Sequence, residues 1–376
     1  MKNCSRIALK AATLALIGST MLSTSVTAHT NYKNVEVAFV LDTTGSMSGL
    51  IEGAKQKIWS IANEIIDVEG DGQTKVRFAL IGYRDRGDAY VAKSFDMTDD
   101  IHGIYGHLLD FQAQGGGDRP ESVNQALNEA VADLSWSQSS KTLRMVFLVG
   151  DAPPHMDYDN EIRYPQIASR ASRNNIILNT VQAGSDRETA RIWRDIADLG
   201  QGDYIAIPQN GGMQMIYTPY DDQIEGLQQR INRTSLGYGS QVEQSAFAGK
   251  LSRAMAAPKA VASDMAEYRL KAGKKNQVIT GAKELVEDYE DGTLDLDSLA
   301  EVDLPDELKG LSTAQKEAKV KTLVAERKEL NQQLESLVKK RDAFMDVERK
   351  KQAATTGKDA FDTEVRATVE RQMKMK

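Results

Sequence analysis

The run Asp42-Thr43-Thr44-Gly45-Ser46 sets one carboxylate and two hydroxyls at alternate positions, Asp42, Thr44 and Ser46. On a turn, all three oxygens can converge on one point. Hard oxygen ligands of this kind suit magnesium, manganese or calcium. Taken alone, the same residues also make a plain turn closed by side-chain to backbone hydrogen bonds. Two other stretches supply carboxylates: Gly150-Asp151-Ala152-Pro153-Pro154-His155, and Gly115-Gly116-Gly117-Asp118-Arg119-Pro120-Glu121. The three glycines lack the lysine and serine or threonine of a phosphate-binding loop, so they read as flexibility in a ligand-bearing loop. His155, with Asp157 and Asp159 nearby, has the chemistry of a general base or second-metal ligand, because imidazole titrates near neutrality; a place on the rim of a crevice is its plainer role. No Ser-His-Asp or Cys-His spacing is recognisable.

These residues need elements to position them. Val35 to Leu41 is a β-branched apolar run, followed after a Gly-containing turn by an amphipathic stretch from Leu50 to Val68, so strand then helix is expected. Further strands are predicted at Phe78 to Ile81, Tyr90 to Phe95, Leu143 to Val149, Ile176 to Val181 and Tyr204 to Ile207. Helices are predicted at Ser122 to Leu134, just after Pro120, and at about 161–173 and 187–199. The runs at 143–149 and 176–181 are apolar enough for the middle of a parallel sheet covered on both faces. Residues 34–235 thus predict a doubly wound, mainly parallel α/β domain, whose ligands bind beyond the carboxyl ends of the strands. The carboxylate-bearing turns fall at those ends.

On these motifs the chain resembles the von Willebrand factor type A domain family, whose metal-ion-dependent adhesion site carries Asp-x-Ser-x-Ser after its first strand. Asp42, Thr44 and Ser46 match, with a threonine hydroxyl replacing the commoner serine. Asp151 matches the family's late aspartate. No threonine stands in the 112–122 loop; Gly117-Asp118-Arg119-Pro120-Glu121 instead resembles the integrin β-subunit variant, which implies that Glu121 serves the same metal and that Asp118 belongs to a neighbouring cation site. The resemblance implies a Mg2+ (or Mn2+ or Ca2+) ion whose open position takes an Asp or Glu carboxylate of a partner protein, and binding rather than turnover. A metal-dependent hydrolase, with water in that position and Glu121 or His155 as base, is the minority alternative. Arg86-Gly87-Asp88 spells an integrin-ligand tripeptide, but three residues on a loop most often match by chance.

The rest of the chain narrows the setting. With 47 Lys and Arg against 54 Asp and Glu, net charge −7, the 376 residues show no electrostatic footprint for nucleic acid. Cys4 is the single cysteine, which excludes an intrachain disulfide, a thiolate zinc site and an iron–sulfur cluster. Lys2, Arg6 and Lys10 precede an apolar run from Ala11 to Ile17, and Val26-Thr27-Ala28 offers a cleavage point, so residues 1–28 are expected to be a secretory signal. The run is far short of the roughly 20 residues of a membrane span. An exported, cysteine-free mature chain is expected in a bacterial periplasm or outside the cell.

Beyond about Asn232 the composition changes. Residues 237–249 are small and polar, and a linker with short helices is expected over 236–280. A helical module is expected over 281–376. Ala282 to Tyr289 reads as a short helix, and Ser312-Thr313-Ala314-Gln315 opens a long one whose Leu323, Leu330, Leu337 and Phe344 recur every seven residues. Arg327 and Arg341 interrupt that stripe, which favours packing on an intramolecular neighbour over a self-sufficient coiled coil. Residues 350–376 are mixed in charge and are expected to fray. The function expected is exported, metal-dependent protein binding or adhesion, the alternative an envelope scaffold acting through the helices with the metal only structural.

Overall fold

The structure, a computed structural model, describes residues 34–67, 75–117, 119–356 and 361–374. The expected signal, residues 1–28, lies outside them. Six strands form one sheet in the order β3-β2-β1-β4-β5-β6: β1 (Asn34–Asp42), β2 (Lys75–Tyr83), β3 (Ala92–Thr98), β4 (Thr142–Gly150), β5 (Ile176–Ala183) and β6 (Gln201–Ile207). All neighbours pair in parallel except β2 and β3. Side chains alternate along β1. Val37, Phe39 and Leu41 enter one apolar cluster, Ala38 and Val40 the other. A strand buried on both faces has no polar side to show, which is why the central runs are almost unbroken in Val, Ile, Leu and Phe.

Helices α1 (Ser48–Asp67) and α2 (Ile101–Asp110) cover the first face. Helices α3 (Val123–Ala132), α4 (Tyr164–Arg173) and α5 (Arg187–Leu199) cover the second through Leu127, Ile167 and Trp193. Because five strands run parallel, the turns after β1, β2, β4, β5 and β6 all emerge at one edge of the sheet.

The chain continues with α6 (Asp221–Arg233), α7 (Gln241–Met255), α8 (Lys259–Lys271), α9 (Leu285–Glu290), α10 (Thr313–Thr356) and α11 (Phe361–Lys374). Helix α7 occupies much of the segment read as small and polar. Its start is a capping box, in which Ser240 accepts from the Glu243 amide and Glu243 from the Ser240 amide. The expected division near 235 does not coincide with a break in packing. Phe247 of α7, Met265 of α8, Leu330, Leu334 and Val338 of α10, and Phe361, Val365 and Val369 of α11 share one core with β1 and α1.

The expectation of fraying after Lys350 is corrected over Phe361–Lys374. Phe361, Val365 and Val369 recur four apart and form a buried stripe, with the Phe361 ring 6.4 Å from that of Phe39. Polar clamps hold the helix on both sides: Lys57 meets Asp362 at 3.0 Å, and Gln372 exchanges two hydrogen bonds with buried Asn179 of β5. The mixed charge that suggested a tail is the chemistry of this docking.

The arginines of α10 are buried against partners within the chain. Arg327 forks onto Glu284 at 2.8 and 3.2 Å and also donates to Thr234 and Ser235. Arg341 reaches Asp221 of α6 at 2.9 Å and Asp264 and Glu267 of α8 at 2.6 Å each. No helix among the described residues is long and apolar enough to cross a membrane.

Candidate metal centre

Asp42 is the last residue of β1 and has no solvent exposure. Its Oδ1 accepts from the Thr44 amide at 2.8 Å and from the Thr44 hydroxyl at 2.6 Å. That hydroxyl stands 3.3 Å from the Ser46 hydroxyl, so the turn gathers three oxygens as the spacing predicts. The other carboxylate oxygen of Asp42, Oδ2, is buried without a hydrogen-bond donor.

The glycine-rich loop folds over this turn. Gly45 donates to the Gly115 carbonyl at 3.3 Å and Gln114 to the Thr43 carbonyl at 3.1 Å. Gly116 has φ of +80°, and a Cβ there would lie 3.1 Å from both Glu121 Oε1 and Thr44 Cβ; glycine is required by conformation and by space. Glu121 is 3% exposed and is tied to the loop after β4, donating to the Pro153 carbonyl and accepting from the His155 amide. Its Oε2 also has no donor. Gly150 lets β4 pass close to Asp42, because a Cβ there would lie 3.1 Å from Asp42 Oδ2 and collide with the Tyr83 hydroxyl. Asp151 follows. Its Oδ2 accepts from Gln209 Nε2 at 2.7 Å, and the same amide reaches the Ser46 carbonyl at 3.3 Å.

The electrostatics of the crevice are one-sided. Burial pushes Asp42 up to about 7, opposed by the Thr44 hydrogen bonds and by the Asp151 amide, and reinforced by the charge of the Asp151 carboxylate. Glu121 is pushed up to about 9, by burial first and then by Asp42, Asp85, Asp88 and Asp151. Tyr83 is raised well above its ordinary value, by burial and then by Asp42, Glu121 and Asp151. Carboxylates this close cannot all ionise without a cation among them. Among the described residues no three carboxylates, imidazoles or thiols form a metal cluster by themselves; the donor set here is carboxylates mixed with hydroxyls, the chemistry of a hard divalent ion. Two buried carboxylate oxygens without donors fit that ion.

Other expected residues fall differently. Asp118 lies outside the described residues. His155 does not stand open on the rim: it is 5% exposed, with Nδ1 2.8 Å from Asp157, Nε2 3.3 Å from Asp85, and its ring stacked on Tyr158 at 4.0 Å. The tripeptide at 86–88 is not displayed as a ligand. Asp88 turns inward to accept from the amides of Gly116 and Asp85, and Arg86 lies over the Tyr158 ring and near Glu161. Sequence reasoning missed Asp85 and Asp88, which support the glycine loop and Ser122, and Gln209, which bridges Asp151 and Ser46. The signal was available, since Asp85 and Asp88 follow β2 at the strand edge already carrying Asp42 and Asp151.

Residues 36–219, from within β1 to just past β6, match the von Willebrand factor A domain family. This part of the chain is a von Willebrand factor A domain. Domains of this family commonly mediate protein–protein interaction and are typically not enzymes. An ariadne-like RING finger protein, R811 of Acanthamoeba polyphaga mimivirus, is 30% identical over 125 residues, covering 33% of this chain. The chain spans 12% of that relative's length. Among solved structures, the VWA domain of SpRpn10 is similar over 47% of this chain and 88% of its own, at 14% identity and a TM-score of 0.36. Proximal thread matrix protein 1 from the mussel byssus is similar over 47% of this chain and 42% of its own, at 14% identity and a TM-score of 0.34.

Proposed function

We propose that the von Willebrand factor A domain binds a protein partner through a divalent cation, with Asp42, Thr44 and Ser46 holding the ion and Glu121 and Asp151 completing or orienting its shell. Mg2+ is the first candidate, with Mn2+ and Ca2+ next. When bound, the ion would supply a Lewis-acidic charge with a coordination position free for a partner's Asp or Glu carboxylate. The chain's own part is to fix the hydroxyls by the Asp42–Thr44 bonds, to close the glycine loop over them, and to keep the carboxylates out of water. The observation that carries this reading is the pair of buried, donorless oxygens, Asp42 Oδ2 and Glu121 Oε2, in one crevice.

We read the C-terminal helices as support for the sheet rather than as a separate interaction module, because they share its core. The proposal includes export, resting on the charged and apolar segment 1–28. It is checked by whether the mature protein starts at His29.

The test is calorimetric titration of Mg2+, Mn2+ and Ca2+ into the full chain and into Asp42→Ala, followed by display of acidic peptides with and without chelator. Saturable binding abolished by Asp42→Ala, and chelator-sensitive capture that fails when the peptide's Asp or Glu becomes Asn or Gln, is the expected result. Absence of metal binding at millimolar concentration, or capture indifferent to chelator, would overturn it.

A further inference from the structure

Where α1, α2, α6, α7 and α8 meet the 274–280 loop there is a small cavity of about 10 Å³, room for one water-sized particle. Its lining includes Trp59, His102, Gln228, Asn232, Arg269 and Lys274, and no Asp or Glu. Arg269 is only 5% exposed, yet among the described residues no carboxylate pairs with it. Its guanidinium donates to neutral acceptors alone: the Lys275 carbonyl, Asn331 Oδ1 at 2.8 Å and Gln228 Oε1 at 3.3 Å. The contrast with Arg327 and Arg341, each matched to carboxylates, is plain. A buried guanidinium without a counter-charge is costly.

The hydrogen bonding around Arg269 fixes what remains free. Gln228 turns its oxygen to the guanidinium, so its amide nitrogen donates to Asn232 Oδ1 at 2.8 Å, which leaves Asn232 Nδ2 without an acceptor. Arg269 Nε and Trp59 Nε1 are likewise buried without acceptors. All three residues with free groups border the cavity, and all three groups are donors. A water molecule needs acceptors as well as donors around it; an anion needs donors only. The local field agrees. His102 is held at about 3, by burial first and then, against the pull of Asp100, by Lys250, Lys274 and Arg269. Arg269 is itself pushed down to about 9 by burial and by Arg327.

We propose that this cavity binds a monatomic anion, chloride-sized, on Arg269 Nε, Asn232 Nδ2 and Trp59 Nε1, and that the bound anion ties the α8 layer to α1 and α6. The site is separate from the metal crevice and does not depend on the cation-dependent function.

The probe is chloride itself, with bromide as its heavy analogue. Thermal unfolding of the full chain is followed in sodium chloride and in sodium gluconate of equal ionic strength, since gluconate is too large for the cavity. The melting temperature is expected to rise saturably by a few degrees in chloride only. A crystal soaked in bromide should show an anomalous peak beside Arg269 Nε. Asn232→Asp places a carboxylate where the anion sits and keeps the acceptor for Gln228, so this variant should lose the chloride response. Trp59→Phe removes one donor, leaves a smaller aromatic ring in the same buried site, and should weaken the chloride response; this variant, read as its chloride-minus-gluconate difference, decides the matter if Asn232→Asp does not fold. Equal melting in the two salts, no bromide peak in the cavity, or a full chloride response in Trp59→Phe or Asn232→Asp would overturn the proposal.

Discussion

Two regions of the molecule bury carboxylates, and they do so in opposite ways. Around α10, Asp221, Asp264 and Glu267 converge on Arg341, and Glu284 on Arg327, at 2.6 to 2.9 Å. At the sheet edge Asp42, Glu121 and Asp151 face one another with no basic side chain among them, and two of their oxygens have no donor. The same side chains serve as internal glue in one place and line the proposed cation site in the other. A buried ion pair whose partner is supplied by the chain is structural, whereas a buried carboxylate cluster whose partner is missing points to something that arrives from outside.

The largest expected effect lies in the matched region. Arg341→Met removes one cation and leaves buried Asp221 and Asp264 without a basic partner, Glu267 keeping Lys271, a change of about 3–5 kcal/mol in unfolding free energy. Urea denaturation measures it. A loss under about 1 kcal/mol would mean that α10 is held by Leu330, Leu334 and Val338 alone, and the contrast between the regions would collapse.

The pH dependence of the crevice carboxylates should run opposite to that of Glu267 in the α10 network, although burial raises Asp264 beside it and gives that group the crevice's direction. Glu121 sits at about 9 against an ordinary 4.5 and Asp42 at about 7 against 3.8. A carboxyl raised in the folded state contributes its full stability below the ordinary value. As pH climbs toward the folded value the unfolded chain ionises first, and stability falls. Glu267 is shifted down, because Lys271 and Arg341 outweigh the burial that would raise it; its contribution is complete above 4.5 and is lost as pH falls from there through the lower folded value. In chelator, the protein is therefore expected to lose about 2–3 kcal/mol between about pH 5.5 and pH 8, less in Glu121→Gln, and little of it in saturating Mg2+. Denaturation curves at the two pH values decide; a slope unchanged by both metal and Glu121→Gln would remove the crevice from the account.

Gly116→Ala probes the cover of the proposed cation site. Its φ of +80° and a Cβ 3.1 Å from Glu121 Oε1 and Thr44 Cβ predict a stability loss of about 1–2 kcal/mol. Mg2+ affinity should fall with it, because relief requires Thr44 or Glu121 to move. Equal metal affinity in variant and parent, measured by calorimetry, would show that the loop's closeness is incidental.

The sheet was legible because its central strands are apolar on both faces, and α5 because Arg187 to Leu199 carries a clean amphipathic period; its expected and observed limits agree. Helix α2 was not read, since Gly103 and Gly106 interrupt a ten-residue pattern and its Asp100 cap looks like loop chemistry until the side chain is seen accepting from Gly103. Helix α10 was legible as a helix but not in its destination, whereas α11 read as a fraying tail and α7 fell in a stretch read as small and polar. Arg327 and Arg341 read as interruptions of an apolar stripe, and only the fold shows Glu284, Asp221, Asp264 and Glu267 waiting for them, 43 to 120 residues away in sequence. The turns carrying Asp42 and Asp151 were legible because each follows a strand directly, whereas the Glu121 loop follows α2 and was read from its glycines and from Pro120. Gln209 was not, because nothing in its local sequence tells that its amide crosses to Asp151, 58 residues earlier.

That amide gives the smallest effect and the finest discrimination between the two regions. Gln209 is exposed, so Gln209→Ala should change unfolding free energy by no more than about 0.5 kcal/mol. Its hydrogen bond to Asp151 Oδ2, however, competes for a carboxylate assigned to the cation site. Losing a competing hydrogen bond of about 0.5 kcal/mol should raise Mg2+ affinity about two-fold, whereas loss of an internal support would lower it. A tightening without a change in stability marks Asp151 as held in reserve for the ion. A weakening would make Gln209 part of the scaffold, and the crevice would then resemble the α10 network more than its opposite.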